Sequence, residues 1–212
     1  MRIPRHIGLI PDGNRRWAEN RGLPKEAGYE KGLYPGLQFF KLCKELGVEE
    51  VTYYGFTQDN TKRPAVQRKE FSRACVEAVK MLFQEDAELM VVGNAESPMF
   101  PEELLPYIRR KKIGKGGIRV NFLVNYGWQW DLNNALKNNH ENNISKCIYS
   151  SDVSRIDLIM RWGGRRRLSG FLPVQSIYAD VYITDDLWPD FEPEQFYEGI
   201  KWYSQQDITL GG

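Results

Sequence analysis

Short apolar segments alternate with helical patterns along almost the whole chain, and this alternation constrains the fold more than any other feature. Runs of strand length are predicted from His6 to the stop at Pro11 and over Val51 to Phe56, Glu88 to Val92, Ile118 to Val124, Ile156 to Met160 and Ile177 to Ile183. Helices are predicted from the Leu33 region to Gly47 and over Val66 to Phe83, Pro101 to Arg110, Asp131 to Asn139 and Glu192 to Tyr203. Strands separated by helices pair in parallel through right-handed crossovers. The pattern therefore predicts an α/β fold with about six mostly parallel strands and helices on both faces.

Length and charge limit what such a chain can do. The 212 residues suffice for one domain with a sizeable core, and none of them has the composition of a linker, so we expect a single domain over 1–212. A formal net charge of +1 argues against a general nucleic-acid surface, so any anion site must be local. Without an apolar run of roughly 18 residues or a signal-peptide core, we expect a cytoplasmic protein with at most peripheral membrane contact.

The first predicted strand ends in a turn whose residues suit an anion. Pro11 stops the apolar run, and Asp12-Gly13-Asn14-Arg15-Arg16 follows directly. Open α/β sheets bind ligands at the carboxyl ends of their strands, where a glycine lets the backbone approach a phosphate and guanidinium groups bind its oxygens. A carboxylate beside a polyanion requires a cation between them, so Asp12 predicts Mg²⁺ held together with phosphate oxygens. An ordinary Asp-Gly turn with surface arginines explains the same residues equally well.

A second basic cluster follows the predicted strand that ends at Met160. The segment from Arg161 to Ser169 contains four arginines, two glycines and a serine, which could bind a diphosphate. A solvated basic loop or a nucleic-acid patch is the alternative, although the aromatic residues of a single-strand binder are absent around it. Asp180 lies in an apolar strand pattern, where it either pairs with an arginine or joins Asp12 at a metal. The basic run 109–112 is interpreted as the end of a helix.

Four blocks of sequence, in this order, resemble the cis-prenyltransferase family, which includes the undecaprenyl diphosphate synthases. They are HIGLIPDGNRRWA, YGFTQDNTKRP, NYGWQWD and IDLIMRWGGRRRLSGFLPVQSIYADVYITDDLWPDF. The resemblance spans nearly the whole chain and implies a six-stranded, mostly parallel sheet with flanking helices, usually in a homodimer. It also implies a Mg²⁺-dependent transferase of isoprenoid biosynthesis that binds an allylic prenyl diphosphate and isopentenyl diphosphate.

The same resemblance assigns roles to single residues. Asp12 would be the essential acid that holds Mg²⁺ on a diphosphate, and Asp180 stands at the position of the family's metal-ligand glutamate. Asn60 stands where the family places a residue tied to proton removal. Substrate-binding roles fall on Gly13, Asn14, Arg15, Arg16, Trp17, Lys25, Tyr29, Thr57, Arg63, Arg161, Arg165, Arg167 and Ser169.

Several residues depart from the family's pattern. Arg15 replaces a usual glycine, Tyr29 a histidine and Arg165 a glutamate, while Thr209-Leu210-Gly211 takes the place of an Arg-x-Gly sequence. Such departures resemble divergent members such as cyclolavandulyl diphosphate synthase. We therefore expect a short allylic diphosphate to be ionised at the Asp12 turn and condensed with isopentenyl diphosphate or a second allylic diphosphate. Cyclisation of a single prenyl diphosphate and a non-catalytic accessory subunit stay open as alternatives.

The resemblance also bears on product length. In this family the growing chain enters an apolar tunnel between the sheet and two helices, so bulky side chains on the strand facing the tunnel shorten the product. Phe122, Leu123 and Val124 are bulky residues in the corresponding stretch. We expect a short product, although bulky apolar residues on a buried parallel strand are also ordinary core.

Overall fold

The computed structural model describes residues 1–137 and 143–207, and within these ranges the chain forms one seven-stranded sheet. The strands are β1 (His6–Ile10), β2 (Glu50–Tyr54), β3 (Ala87–Val92), β4 (Lys111–Ile113), β5 (Arg119–Leu123), β6 (Leu158–Arg161) and β7 (Asp180–Ile183). Their order is β4-β3-β5-β2-β1-β6-β7, and all neighbours are parallel except β3 and β4. The predicted α/β fold with a mostly parallel sheet is confirmed.

Helices connect the strands and cover the sheet. They are α1 (Asn14–Glu19), α2 (Ala27–Lys31), α3 (Leu33–Leu46), α4 (Ala65–Met81), α5 (Trp128–Lys137), α6 (Ile144–Cys147) and α7 (Pro193–Ser204). Gly47 ends α3 in the left-handed conformation, with φ of 82°, as a glycine after a helix is expected to do. Within the described ranges, no helix is long and apolar enough to cross a membrane.

The basic run 109–112 does not end a helix, and this prediction was wrong. Only a short 3₁₀ helix, Glu102–Tyr107, forms before it, because Pro106 lacks the N–H that an α-helix would need there. Lys111–Ile113 instead pairs antiparallel with β3 and adds an edge strand to the predicted six. Lysines suit such an edge, since exposed charge discourages pairing with another chain. Predictions for Asn138, Asn139 and Thr209-Leu210-Gly211 lie outside the described residues.

The sheet separates two apolar clusters. Helices α3, α4 and α7 pack on one face, where Phe39, Val79 and Ile200 are fully buried. The other face is covered by a loop containing Phe171 and by the aromatic ring of Tyr126. Side chains alternate between the faces of a strand, so neighbouring residues of β5 belong to different clusters.

Candidate active site

Three loops meet at one end of the sheet because β2, β1 and β6 are parallel neighbours. The turn after β1, the segment after β2 and the loop after β6 line a polar pocket of about 470 Å³. Seven cationic side chains and three carboxylates face this pocket, so its lining is far more positive than the chain as a whole. The cations are Arg15, Arg16, Lys25, Arg63, Arg161, Arg165 and Arg167, and the carboxylates are Asp12, Glu19 and Asp59.

Two arginines hold the Asp12 carboxylate. Arg161 Nη2 donates to Asp12 Oδ2 at 2.8 Å, and only 4% of the Arg161 side chain is exposed. Arg16 Nη2 lies 3.6 Å from Asp12 Oδ1 and donates to the carbonyl of Gly163 at 2.9 Å. Charge-assisted hydrogen bonds of this kind are stronger than neutral ones, and here they tie the β1 turn to the β6 loop.

Arg161 also shapes the loop that follows it. Its Nη1 donates to Ser169 Oγ at 3.3 Å and to the carbonyl of Arg167. The Tyr54 hydroxyl donates to the Ser169 carbonyl at 2.6 Å, which helps to hold Ser169 at a φ of 55° that residues other than glycine rarely adopt. Arg161 was predicted to bind substrate, but in this structure its guanidinium holds Asp12 and the loop after β6 in position. Its Nε is buried and has no hydrogen-bond partner within the described ranges.

The backbone of the β1 turn requires a glycine. Gly13 has a φ of 112°, and a Cβ atom at this position would lie 2.9 Å from Leu187 Cδ2 and 3.1 Å from Leu187 Cα. The second contact is with backbone, so no side-chain rotation could relieve it. Gly13 therefore lets the chain turn sharply between Asp12 and Asn14 without moving the segment packed against it.

Several cations of the pocket have no carboxylate partner. In the part of the chain that the structure describes, Arg15, Arg165 and Arg167 form no ion pair. Lys25 differs, because its Nζ pairs with Glu19 at 2.9 Å. Uncompensated positive charge concentrated in a concave site attracts polyanions, so these three arginines make the pocket suitable for a phosphate-containing ligand.

Asn60 and Thr57 hold the segment after β2 in place. The Asn60 Oδ1 accepts from the Thr57 backbone N–H at 3.0 Å, and the Thr57 side chain accepts from the Asn60 backbone in return. This reciprocal cap begins the 3₁₀ helix Gln58–Lys62. Both residues line the pocket, as does Asn14, whose Nδ2 donates to the Pro11 carbonyl at 2.9 Å while its Oδ1 is buried without a partner among the described residues.

Two predicted site residues are not brought to this pocket. Trp17 was expected to line it, but its Nε1 donates to Asp190 Oδ1 at 2.6 Å and Arg21 stacks over its ring at 4.2 Å. In this structure Trp17 therefore lies outside the residues that line the pocket, with its indole N–H bound to Asp190.

Asp180 lies at the other end of the sheet. Asp180 pairs in register with Leu158 of β6, and Leu158 pairs with Ile7 of β1. Ile7 lies three residues, or about 10 Å of strand, before the carboxyl end of β1 where the pocket begins. Its carboxylate lies 3.7 Å from Arg2 Nη2. Within one chain Asp180 therefore does not share a metal with Asp12, and the described residues contain no cluster of three or more acidic, cysteine or histidine side chains suited to a metal.

A second, apolar cavity of about 90 Å³ adjoins the polar pocket. It lies between the sheet and helices α3 and α4, and its wall includes Leu37, Tyr53, Phe71 and Phe122. Leu123 does not line it, because it points to the other face of the sheet. The sequence did not predict that Phe71 lines a cavity. Its position in an amphipathic helix predicted only a side chain packed in the core.

Comparison with known proteins agrees with this arrangement. The undecaprenyl diphosphate synthase family model matches residues 10–211. An isoprenyl transferase of Chromobacterium violaceum is 34% identical over 98% of this chain and 88% of its own length. The ditrans,polycis-undecaprenyl-diphosphate synthase ((2E,6E)-farnesyl-diphosphate specific) of Pectobacterium atrosepticum is 32% identical over 99% of this chain and 90% of its own.

A solved structure shares the fold. Lavandulyl diphosphate synthase from Lavandula x intermedia, in complex with dimethylallyl diphosphate, superposes with a TM-score of 0.84 at 20% identity, covering 99% of both chains. The family match and the curated relatives together extend over the turn, the loop and the strands that build the pocket. This chain therefore belongs to the undecaprenyl diphosphate synthase family of cis-prenyltransferases, and it is a prenyltransferase.

Proposed function

We propose that this prenyltransferase acts on short allylic diphosphates. The diphosphate binds in the cationic pocket and the hydrocarbon tail enters the apolar cavity. The allylic group is then joined to isopentenyl diphosphate or to a second allylic diphosphate. One observation carries the proposal: the two cavities adjoin, and six residues line both of them, namely Pro11, Asn14, Tyr29, Tyr54, Gly55 and Phe71. This arrangement suits a molecule with an anionic head and an apolar tail.

The size of the apolar cavity supports a short tail. At about 90 Å³ it is smaller than the apolar cavity of about 150 Å³ that holds a benzene ring in another protein. Phe122 contributes to the narrowness, because its ring stacks on Tyr53 with centroids 4.8 Å apart. A long polyprenyl chain would have to displace these rings, whereas the single isoprene unit of a dimethylallyl group requires the least change.

The pocket residues can stabilise the leaving group. Ionisation breaks the bond between the allylic carbon and a diphosphate oxygen, so negative charge develops on the diphosphate. Arg15, Arg165 and Arg167 have no carboxylate partner in the described ranges and supply positive charge to it. Arg161 positions Asp12 and Ser169 for the same site. The apolar wall keeps water from the carbocation while the alkene of the second substrate attacks it.

The condensation ends with the loss of a proton from the new carbocation. Asn60 was predicted to take part in this step. A carboxamide is not a base at neutral pH, and the Asn60 Oδ1 already accepts from Thr57. We therefore assign Asn60 to the positioning of a diphosphate, whose free oxygens can accept the proton.

Mg²⁺ fits this pocket once a diphosphate is bound. Mg²⁺ is commonly held by one or two carboxylates together with substrate phosphate oxygens, and Asp12 offers one carboxylate whose side chain is 34% exposed. The chemistry it would supply is neutralisation of charge on the leaving diphosphate. Asp180 of the same chain does not complete this site, and substrate oxygens and water would supply remaining ligands.

A product assay tests the proposal. Purified protein is incubated with dimethylallyl, geranyl or farnesyl diphosphate, each with and without isopentenyl diphosphate, and both diphosphate release and product mass are measured. We expect condensation that requires two substrate molecules and gives products of a few isoprene units. A cyclic or hydrolysed product made from one substrate molecule would favour the terpene-synthase-like alternative. No diphosphate release in any mixture would favour the accessory subunit.

The assembly and location of the protein belong to the same proposal. The family resemblance predicts a homodimer, and the hydropathy of the sequence predicts a cytoplasmic location with at most peripheral membrane contact. Analytical ultracentrifugation of the purified chain tests the first point, since a dimer has twice the mass of the 24.7 kDa chain. A monomer at all accessible concentrations would contradict it.

A further inference from the structure

Two stacked aromatic residues lie at the boundary between the polar pocket and the apolar cavity. Tyr29 of α2 and Phe71 of α4 line both cavities. Their rings stack with centroids 4.5 Å apart and an interplanar angle of 6°. Phe71 is also held edge-on by Phe56 at 5.5 Å, and only 5% of Tyr29 is exposed. A tail that passes from the diphosphate site into the apolar cavity therefore runs beside this pair.

Arg63 connects the aromatic pair to the cationic pocket. Its Nη1 donates to the Tyr29 hydroxyl at 3.0 Å, and its guanidinium carbon lies 5.3 Å from the centre of the Phe71 ring. Arg63 forms no ion pair with any carboxylate of the described residues. Burial lowers the pKa of Arg63, as does the nearby charge of Arg15, although the Tyr29 hydroxyl and Asp12 oppose this change. A half-buried guanidinium held by one neutral hydroxyl gains a stronger partner when an anion arrives.

We propose that the Tyr29–Phe71 pair is a gate that selects short allylic substrates, and that Arg63 loosens the gate when it turns from the Tyr29 hydroxyl to a bound diphosphate. The inference rests on the proposed function, because it assumes that diphosphates enter the pocket. It adds the residues that decide which tails are admitted. In this arrangement the head of the substrate opens the path for its own tail, and a long tail is rejected because the stacked rings move only partly.

The first test changes the barrier and measures substrate length. Phe71→Ala removes one ring of the stack, and Phe71→Leu keeps an apolar side chain in its place. We expect Phe71→Ala to raise the ratio of kcat/KM for farnesyl over dimethylallyl diphosphate by about tenfold, with Phe71→Leu in between. Phe83→Ala is the matched control, because Phe83 follows the same helix but contacts Tyr107 and lines neither cavity. Its length ratio should equal that of the wild type.

The second test measures the link through Arg63. Tyr29→Phe keeps the ring and removes the hydroxyl that holds Arg63. Because Arg63 no longer exchanges one hydrogen bond for another, inorganic diphosphate should bind about threefold more tightly by calorimetry. The farnesyl-to-dimethylallyl ratio should rise above that of the wild type but less than in Phe71→Ala, since the gate loses its hydrogen bond to Arg63 while the stacked rings are still present.

The outcomes separate this inference from the proposed function. A wild-type protein that releases no diphosphate from any substrate mixture would overturn both. An active wild type whose length ratio is unchanged in Phe71→Ala and Phe71→Leu would overturn the gate alone, and Phe71→Leu serves by itself if the alanine variant does not fold. Weaker or unchanged diphosphate binding by Tyr29→Phe would overturn the role of Arg63.

Discussion

The two ends of the sheet carry many arginines but use them differently. At the amino-terminal end, Arg5 pairs with Glu49 at 2.8 Å and Arg119 with Glu50 at 3.3 Å. At the carboxyl-terminal end, Arg165 and Arg167 are exposed and have no carboxylate partner among the described residues. Paired charges contribute to structure and attract little from solution, whereas unpaired ones in a concave site attract polyanions. The difference shows that pairing, more than residue type, distinguishes a ligand site from a structural network.

At the amino-terminal end of the sheet, the buried side chains of Glu50 and His6 also have hydrogen-bond partners. Glu50 is 2% exposed and accepts from Ser154 Oγ and from Asn121 Nδ2, each at 2.6 Å. His6 Nε2 lies 2.8 Å from Thr52 Oγ1, and its Nδ1 lies 3.0 Å from the Ser154 carbonyl. Buried polar groups that all find partners stiffen a structure. Substitutions at this end should therefore change stability, while substitutions at the other end should change turnover.

The largest effect is expected from Asp12. Asp12→Ala should lower turnover by about 10³-fold or more, because the carboxylate needed at the diphosphate site is lost. Stability should fall by only about 1–3 kcal/mol, since Asp12 is partly exposed although its partner Arg161 is buried. Asp12→Asn separates the two effects by keeping a hydrogen-bond acceptor for Arg161. Glu49→Ala, at the other end of the sheet, should leave turnover unchanged, and wild-type turnover in Asp12→Ala would refute the assignment of the site.

The next comparison uses two neighbours on β5. Phe122 lines the apolar cavity and Leu123 packs on the opposite face, so the earlier expectation that Leu123 limits the tail is corrected. Either substitution to alanine should lower the free energy of unfolding by about 2–5 kcal/mol. Only Phe122→Ala should also lengthen the product or admit longer allylic substrates, as measured by mass spectrometry. Equal product lengths in the two variants would mean that Phe122 is merely core.

A smaller effect concerns the metal. Arg15 and Arg165 add positive charge beside the Asp12 turn, so wild-type protein should keep a measurable rate after divalent ions are chelated. Arg15→Gly and Arg165→Glu should each lower this residual rate by about tenfold, because a charge-assisted contact to the leaving diphosphate is removed. Rates are compared with and without chelator. Complete loss of wild-type turnover on chelation would show that the arginines cannot replace the metal.

The smallest effect is a pH dependence of stability at the amino-terminal end. Burial lowers the pKa of His6 below its ordinary value of 6.5, although Glu50 partly opposes this. Below pH 6.5 the unfolded chain therefore binds a proton that the folded chain does not. As the pH decreases through this range, His6 lowers the free energy of unfolding by at most about 1.4 kcal/mol per pH unit. Urea unfolding between pH 5 and 7 should show a flatter dependence in His6→Gln. Identical slopes would exclude His6 as the cause.

The sequence allowed prediction of the parts of the site that are local. The strand-turn order around Asp12 and Gly13, and the basic loop after Arg161, follow from short patterns and from the geometry of parallel sheets. The ion pair between Asp12 and Arg161 could not be predicted in the same way, because it depends on how the two turns face each other. The stacking of Tyr29 on Phe71 likewise depends on the packing of α2 against α4.

The interpretation of the basic run 109–112 was wrong, and two predicted site residues lie away from the pocket of the single chain, each for an identifiable reason. Asp180 was grouped with Asp12, but strand register places it at the opposite end of the sheet of the same chain. Trp17 was assigned to the pocket, but Asp190 provides a partner for its indole N–H elsewhere. The edge strand Lys111–Ile113 was hidden by a basic run that resembles a helix end, and it pairs with β3 only because the chain turns back.

The central claim is that the unpaired arginines at the carboxyl-terminal end of the sheet bind the diphosphate. Calorimetric titration with inorganic diphosphate tests it most directly, comparing wild type with the triple variant Arg15→Ala, Arg165→Ala, Arg167→Ala and with the double variant Arg2→Ala, Arg5→Ala from the other end. We expect the triple variant to bind at least about a hundredfold more weakly and the double variant to match the wild type. Wild-type affinity in the triple variant, or a comparable loss in the double variant, would contradict the claim.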